Sequence, residues 1–509
     1  MRRTLAIAIA TALGATASSA SAVMLNPRGT GQVLIYPYYT VNHQQTLVSV
    51  INTTAHGKAL KVRFREAYDG RDVANFNVYL GPYDSWVGAV YDTSADGTGA
   101  AAIATNDNSC TVPAFPLAPV PETLHALTFS NANYSQGDYG APTGTDHGPT
   151  NLARTREGFF EIIEMGEVVD QASGSPKTLE AITPVKGSPP GCSQVRSAWA
   201  NGGYWTTSAN TDLLPPAGGV YGAAGIVDVA QGTLYAFDAT AIDGFSDVAQ
   251  HTAPGSSRPN LSTPVTDSAH DLTAAYVPIG NAMIKVDYPA STRGVDAVSA
   301  VLMAERLSNE FNTDPALGAA TDWLVSFPTK QFYVDPGIVG AKPDDVLAPF
   351  EQAFDGAACN GVGANFYDRE GQPPKFDGCG FTCPALPGNY LCYEAAAITF
   401  GVPYALDGQY DGPSKVLGSM VGTVSLASPY VRDYPSTGHM DLLFPDSAEQ
   451  MRPALGGQIF LGLPALGFAA INYINANVTP GVLSNYSAAY PHRSTASCAN
   501  STNPQSACQ

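Results

Sequence analysis

Residues Gln32–Tyr91 read QVLIYPYYTVNHQQTLVSVINTTAHGKALKVRFREAYDGRDVANFNVYLGPYDSWVGAVY. Val33–Tyr36 and Leu47–Ile51 are two runs rich in β-branched and aromatic residues, separated by a polar break. Such residues suit a pleated, half-buried surface. Beyond the Thr53–Gly57 turn, Leu60, Val62 and Phe64 alternate with Lys61, Arg63 and Arg65. Period-two alternation predicts a strand with one apolar face, and the basic stripe reads as its solvated face. Asp69-Gly70 supplies a tight turn. A second alternation follows, with Ala74, Phe76, Val78 and Leu80 apolar, and Trp86–Tyr91 begins a fifth run after Pro82. Five strands in sixty residues with regular turn signals predict an antiparallel β-sandwich of Ig-like build.

The same grammar extends outward. Asp-Gly pairs begin at Asp69, Asp96, Asp243, Asp355, Asp377, Asp407 and Asp411, and Asn-Gly pairs at Asn201 and Asn360. These residues accept the positive φ of tight hairpins. Asp92–Asn151 reads as long loops, as do Asn201–Val220 and Thr252–Asp267. Strands are expected at Arg156–Asp170, Gly225–Val229, Thr233–Phe237, Asp322–Val334, Tyr393–Phe400, Val416–Ser425, Gln458–Leu463 and Gly467–Ile474. One segment departs from this. Asp296–Phe311 lacks Gly and Pro, with Asp296 as N-cap and Val298, Val301, Leu302 and Glu305 at helical spacing. It predicts a helix over 296–311. The fold class is therefore mainly β, with antiparallel sandwiches, long loops and that helix.

Composition bounds the function. The chain has 509 residues, 44% hydrophobic and only 14% charged, with 50 Gly and 39 Pro. That excludes a disordered chain and a coiled coil, which needs charged flanking positions. A net charge of −19 excludes binding that depends on neutralising nucleic-acid phosphates.

Residues 1–22 read as a secretory signal peptide: Arg2 and Arg3, the apolar stretch Leu5–Ala17, then Ala20-Ser21-Ala22 ahead of Val23. No later segment reads as a membrane span. The localisation expected is secreted, at the cell surface or outside the cell, with the periplasm as the alternative. All eight cysteines (Cys110, Cys192, Cys359, Cys379, Cys383, Cys392, Cys498 and Cys508) follow the leader. An even count in an oxidising compartment predicts disulfides. Proximity pairs Cys498 with Cys508 and groups Cys359, Cys379, Cys383 and Cys392 together, which leaves Cys110 with Cys192. A metal site on Cys379 and Cys383 is the competing reading. Past the leader, the chain divides into a β-sandwich region at 23–130, a central β-rich region at 131–345 and a disulfide-containing β-rich region at 346–509. The alternative is one intertwined unit.

Familiar catalytic motifs are missing: there is no G-x-S-x-G elbow, zinc helix, Walker loop or dinucleotide fingerprint. Glu161 and Glu164 are the candidate acid/base pair of a glycoside hydrolase, although a strand sends them to opposite faces. Tyr204 and Trp205 are the candidate sugar-stacking platform. No cofactor is expected. Calcium is the inorganic candidate, at Asp92, Asp96, Asp407 and Asp411, but neither pair fits an EF-hand loop and turn formation accounts for all four.

Four runs, GQVLIYPYYT (Gly31–Thr40), REGFFEIIEMG (Arg156–Gly166), TDWLVSFPTKQFYVD (Thr321–Asp335) and GLPALGFAAINYIN (Gly462–Asn475), resemble a group of uncharacterised secreted and cell-surface proteobacterial proteins. The resemblance implies a bacterial origin and one integrated architecture, and it supplies no catalytic residues. The function expected is an exported, non-enzymatic structural or surface-assembly protein whose partners are itself or other surface proteins. It could polymerise by β-strand addition, with Val23–Arg28 as donor. The alternative is a secreted carbohydrate-binding protein or polysaccharide hydrolase, with glycans as partners. That reading requires Glu161, Glu164 and Tyr204-Trp205 to share one cleft.

Overall fold

The computed structural model describes residues 21–94, 96–118, 124–171, 175–376, 389–402, 412–426, 431–432, 434–444, 449–475, 478–482, 484–500 and 503–508. The protein is mainly β, and every ladder between its named strands is antiparallel. The five runs of Gln32–Tyr91 form β2 (Val33–Thr40), β3 (Gln45–Asn52), β4 (Gly57–Glu66), β5 (Asp72–Leu80) and β6 (Ser85–Asp92). Ahead of them lies β1 (Met24–Leu25). After them come β7 (Ala101–Thr105), β8 (Cys110–Val112), β9 (His125–Thr128), β10 (Glu157–Val168), β11 (Leu213–Leu214), β12 (Val220–Asp228), β13 (Thr233–Asp238) and β14 (Thr240–Asp243).

These strands divide into two sheets. The first runs β1-β14-β2-β10-β4-β5-β8, with β11 on β10, and the second runs β13-β12-β3-β6-β7-β9. Their inner faces meet in one core. Leu60, Val62, Phe64, Phe76, Phe160 and Ile162 come from the first sheet, and Val48, Val50, Trp86, Val90, Ile103 and Ile226 from the second. The rings of Tyr36, Phe160 and Phe64 stack in sequence, with centroids 4.1 and 4.6 Å apart. The Tyr36 hydroxyl crosses to the second sheet and donates to Ser49 O at 2.7 Å. A Cβ at residue 222 would collide with that hydroxyl, which is why glycine stands there. The sheets carry eight and six strands, where the Ig fold has seven or nine strands in all. We describe the unit simply as a two-sheet sandwich.

The sheets also draw on distant parts of the chain. The first takes strands from both sides of residues 130/131, because β10 lies between β2 and β4. Its back face contributes Val33, Ile35, Ile163 and Ile242 to a second core, shared with Val298, Trp323, Phe327, Leu442 and Phe460. Around that core lie a sheet ordered Asn389–Leu391, Asn360–Asp368, Thr437–Leu443, Arg306–Asn312, Arg493–Thr495 and another ordered Ala395–Thr399, Ala319–Ser326, Leu466–Tyr473, Tyr486–Pro491.

The helix expected over 296–311 is displaced. It spans Ala290–Leu302, and Met303–Ala304 and Arg306–Asn312 are strands. Asp296 is not its N-cap. It is buried inside the helix, where its carboxylate accepts from Arg293, Arg452 and the Tyr333 hydroxyl. Beyond residue 302 tertiary pairing overrides helix propensity: Leu307 and Phe311 turn into the core while the backbone pairs with Thr437–Leu443. The strand expected over 322–334 ends at Ser326, and Gln331–Val334 is a helical turn. Val416–Ser425 is not a strand. Its backbone wraps the buried Asp322, whose carboxylate accepts from the amides of Val416 and Leu417.

Candidate functional site

The stripe read as a solvated basic face lies inside the protein. Lys61, Arg63 and Arg65 project from the back of β4, and all three are buried. The long loop 252–260 and the turn near Gln331 cover them. Lys61 Nζ donates to Ala253 O at 2.7 Å, and burial pulls its pKa down to about 7. Arg63 donates to Ser256 O, Pro259 O and Asp72, and Arg65 to Gly70 O, Gln331 and Glu161. Sequence alternation places these side chains on one face, but it carries no sign of the loop that closes over them.

From there the charges continue as a seam. Arg71 bridges Asp69 and Asp335, at 3.2 and 2.6 Å. Arg154, wholly buried, holds Glu66 at 2.8 Å and Asp146 at 2.5 Å and lies over the Tyr134 ring. Asp146 and Asp72 are held below the ordinary carboxylate range by their arginines despite burial, whereas burial raises Asp69 well above it. A cleft of about 400 Å³ opens beside Arg63, Arg65, Arg71, Asp72, Gln331 and Asp335. Its guanidiniums are engaged by carboxylates and carbonyls, as above, so it presents buried ion pairs rather than a receptor for an anion. Breaking such pairs is far costlier than their net contribution to stability.

The carboxylates named from the sequence do not converge. Glu161 faces the back of the first sheet with Arg63 and Arg65. Glu164 faces the other way, onto Lys58 at 2.8 Å and the Gly218 amide at 2.7 Å. Burial pushes Glu164 up to about 7. Tyr204 and Trp205 lie elsewhere, in a small core with Val195, Ala198 and Leu213. Trp205 is 1% exposed, stacks on Tyr79 at 5.2 Å and donates to Thr211 O. Packing explains it, as its amphipathic ring requires.

Asp92 is paired with Arg156 at 2.7 Å, and Asp96 accepts from the amide and hydroxyl of Thr98. Both carboxylates therefore have local partners. Asp407 and Asp411 lie outside the described residues, as do Cys379 and Cys383. Disulfides join Cys110–Cys192, Cys359–Cys392 and Cys498–Cys508. Among the described residues no three His, Cys, Asp or Glu side chains gather as metal ligands.

A different surface stands out. The middle of the second sheet's outer face is apolar. Leu47 and Ser49 of β3, Val87 and Ala89 of β6, Ala223 and Gly225 of β12, and Leu234 and Ala236 of β13 border a groove of about 560 Å³. Leu47, Val87 and Leu234 are 46%, 49% and 47% exposed, and no residue lining the groove is charged. The ladder sets this arrangement: Leu47 sits opposite both Ala89 and Gly225, and Ser49 opposite both Val87 and Ala223. The signal was present in the sequence. Leu47–Ile51 is apolar at both parities, with Val48 and Val50 inward and Leu47 and Ile51 outward, so the run has two faces that avoid water. No helix among the described residues is long and apolar enough to cross a membrane. Comparison with protein-family profiles, with characterised proteins and with solved structures returns no match to this chain.

Proposed function

We propose that this is an exported, non-enzymatic structural protein that assembles with copies of itself through the outer face of its six-stranded sheet. The observation that carries the reading is an apolar groove with no charged lining residue, on the outer face of that sheet, in a chain of net charge −19. Contiguous exposed apolar patches mark interaction surfaces. Five strands, at ~4.8 Å spacing and about three residues of ~3.4 Å each, give the groove a footprint of roughly 250 Å². That is the size of an apolar centre within the ~800 Å² each partner contributes to a standard interface. A second copy meets the same requirement from its own side, since one patch can pair with itself about a two-fold axis. The protein's acidity opposes other contacts between copies and leaves this one without like-charge repulsion. Export is supported by the leader-like residues 1–22 and the disulfides among the described residues.

Strand addition through Val23–Arg28 has less support. Val23 is fully buried, and Met24 and Leu25 pair with Asp243 and Ile242 in the protein's own sheet. Sedimentation velocity over a wide concentration range tests the face directly. The parent is expected to shift from monomer to dimer or higher species, and Leu47→Glu with Val87→Glu to remain monomeric with an unchanged melting temperature. A parent that stays monomeric throughout, or a double variant that associates as the parent does, overturns the proposal.

A further inference from the structure

Lys330, Asn360, Glu394 and Glu449 come from four separate segments, and none exceeds 1% exposure. Lys330 follows the strand Ala319–Ser326, and Asn360 begins the strand Asn360–Asp368. The Lys330 ammonium lies near the Phe327 and Phe350 rings, 5.6 and 5.5 Å from their centroids. Among the described residues its one hydrogen bond goes to Ala358 O, at 2.6 Å and two residues before Asn360. Both oxygens of Glu394, both oxygens of Glu449 and the amide nitrogen of Asn360 are buried without a hydrogen-bond partner. Native structures rarely leave so many polar atoms unsatisfied together. Glu449 is the common neighbour: it lies beside the Asn360 side chain and within electrostatic reach of Lys330. The Cys359–Cys392 disulfide and the Asn360–Leu391 pairing tie the segment bearing Asn360 to the one leading into Glu394.

We propose that Lys330 and Asn360 form an internal cross-link, in which Lys330 Nζ condenses with Asn360 Cγ to give a secondary amide and free ammonia, with Glu449 carrying the proton. Burial favours the neutral amine and the neutral acid that this step needs, lowering Lys330 to about 8 and raising Glu449 to about 8. Glu394, the largest charge acting on Lys330, is itself raised well above the carboxylate range by burial. The neutral amine leaves Ala358 O, two residues before Asn360, and attacks Cγ. The new C–N bond forms as one N–H proton passes to the carboxyl group, while the carboxyl proton passes to the departing amide nitrogen. The C–NH₂ bond breaks and ammonia leaves, so the carboxyl ends as it began and no oxidant or other reactant is consumed. Both side chains are buried, and the anchoring of the amine two residues from Asn360 makes such a step effectively unimolecular.

This inference does not depend on the assembly proposal. The test is the intact mass of the full chain, reduced and denatured, followed by tryptic peptide mapping. The expected mass is one ammonia below that of the polypeptide bounded by its observed termini. The map should then show no cleavage after Lys330 and a branched peptide joining its segment to that of Asn360. Glu449→Gln is expected to restore the full mass and the cleavage after Lys330. A parent of full sequence mass with ordinary cleavage at Lys330, or an ammonia loss mapped to another site, overturns the proposal.

Discussion

Replacing Arg154 with Met should cost about 3 kcal/mol, at the lower end of the ~3–5 kcal/mol typical of breaking a buried ion pair from one side. Methionine keeps much of the aliphatic length over Tyr134 but removes the charge. Glu66 then loses bonds of 2.8 and 3.0 Å, and Asp146 loses bonds of 2.8 and 2.5 Å. Each carboxylate keeps partners. The backbone amides of Tyr68, Asp69 and Arg71 remain on Glu66, and that of Gly148 on Asp146. Those retained bonds are the reason for choosing the lower end. Arg306→Met is the control. Arg306 is 44% exposed and 3.7 Å from Asp441, a surface pair contributing no more than ~1 kcal/mol.

Hydrogen exchange read by mass spectrometry suits a chain of this size, in which global unfolding need not be two-state. Amides of β4 and β10 should exchange on the order of a hundredfold faster in the Arg154 variant and within a few-fold of parent in the control. The pH response gives a second signature. In the parent, Asp146 is depressed below its unfolded value, so its contribution is present above that value and fades as pH falls through the folded one. In the variant the buried Asp146 loses the guanidinium that lowers it and takes up a proton more readily on folding, so the deficit should grow as pH rises from acid to neutral. Glu66→Gln with Asp146→Asn in the variant background should recover part of the loss. An Arg154→Met effect no larger than the control's would refute the reasoning.

Two further expectations concern groups buried without charge. Burial lowers His492 to about 4 and His251 to about 3, so both fold neutral, and the protein should lose stability as pH falls below about 6.5, the unfolded histidine value. Each histidine contributes a slope of at most ~1.4 kcal/mol per pH unit until its folded pKa is reached, and His492→Gln should flatten the urea-midpoint profile between pH 6.5 and 4.5; an unchanged profile would count against it. Trp205→Ala should cost ~3–5 kcal/mol as a core truncation, read as a lowered melting temperature. If the variant melts with the parent but loses binding on a glycan array, Trp205 is a ligand platform and our packing account fails.

Local pattern carried most of the sandwich. Alternation in Leu60–Phe64 and Ala74–Leu80 fixes which side chains face the core, because a one-residue slip would reverse every one of them. Cysteine proximity likewise anticipated Cys498–Cys508, and the grouping of the central four left Cys110 with Cys192. Reading failed where a second layer decides the outcome. Arg306–Phe311 has helix-forming neighbours, yet Thr437–Leu443 offers its backbone a ladder and its Leu307 and Phe311 a core. Lys61, Arg63 and Arg65 alternate as a wet face would, yet loop 252–260 brings carbonyls that replace water. Lys330 and Asn360 carry no motif at all, since their meeting depends on contacts thirty residues apart and on Glu449 far downstream.

Burial of the cations also bears on the surface. Lys58, Lys61, Arg63, Arg65, Arg71, Arg154, Arg156 and Lys330 are all buried, eight of only 25 Lys and Arg in the chain. Lys58, Lys61, Arg63 and Arg65 lie on the first sheet, and together with Arg154 they neutralise carboxylates such as Glu161, Glu164, Asp146 and Glu66. Acids are buried in like proportion, from Glu66 to Glu449, so the exterior keeps the acidic excess of the whole chain. Such a surface keeps copies apart over most of its extent. The outer face of the second sheet has neither sign of charge along its groove. Contact there removes apolar area from water without bringing carboxylates together. The proposed association through this groove should therefore strengthen as salt screens the acids around it.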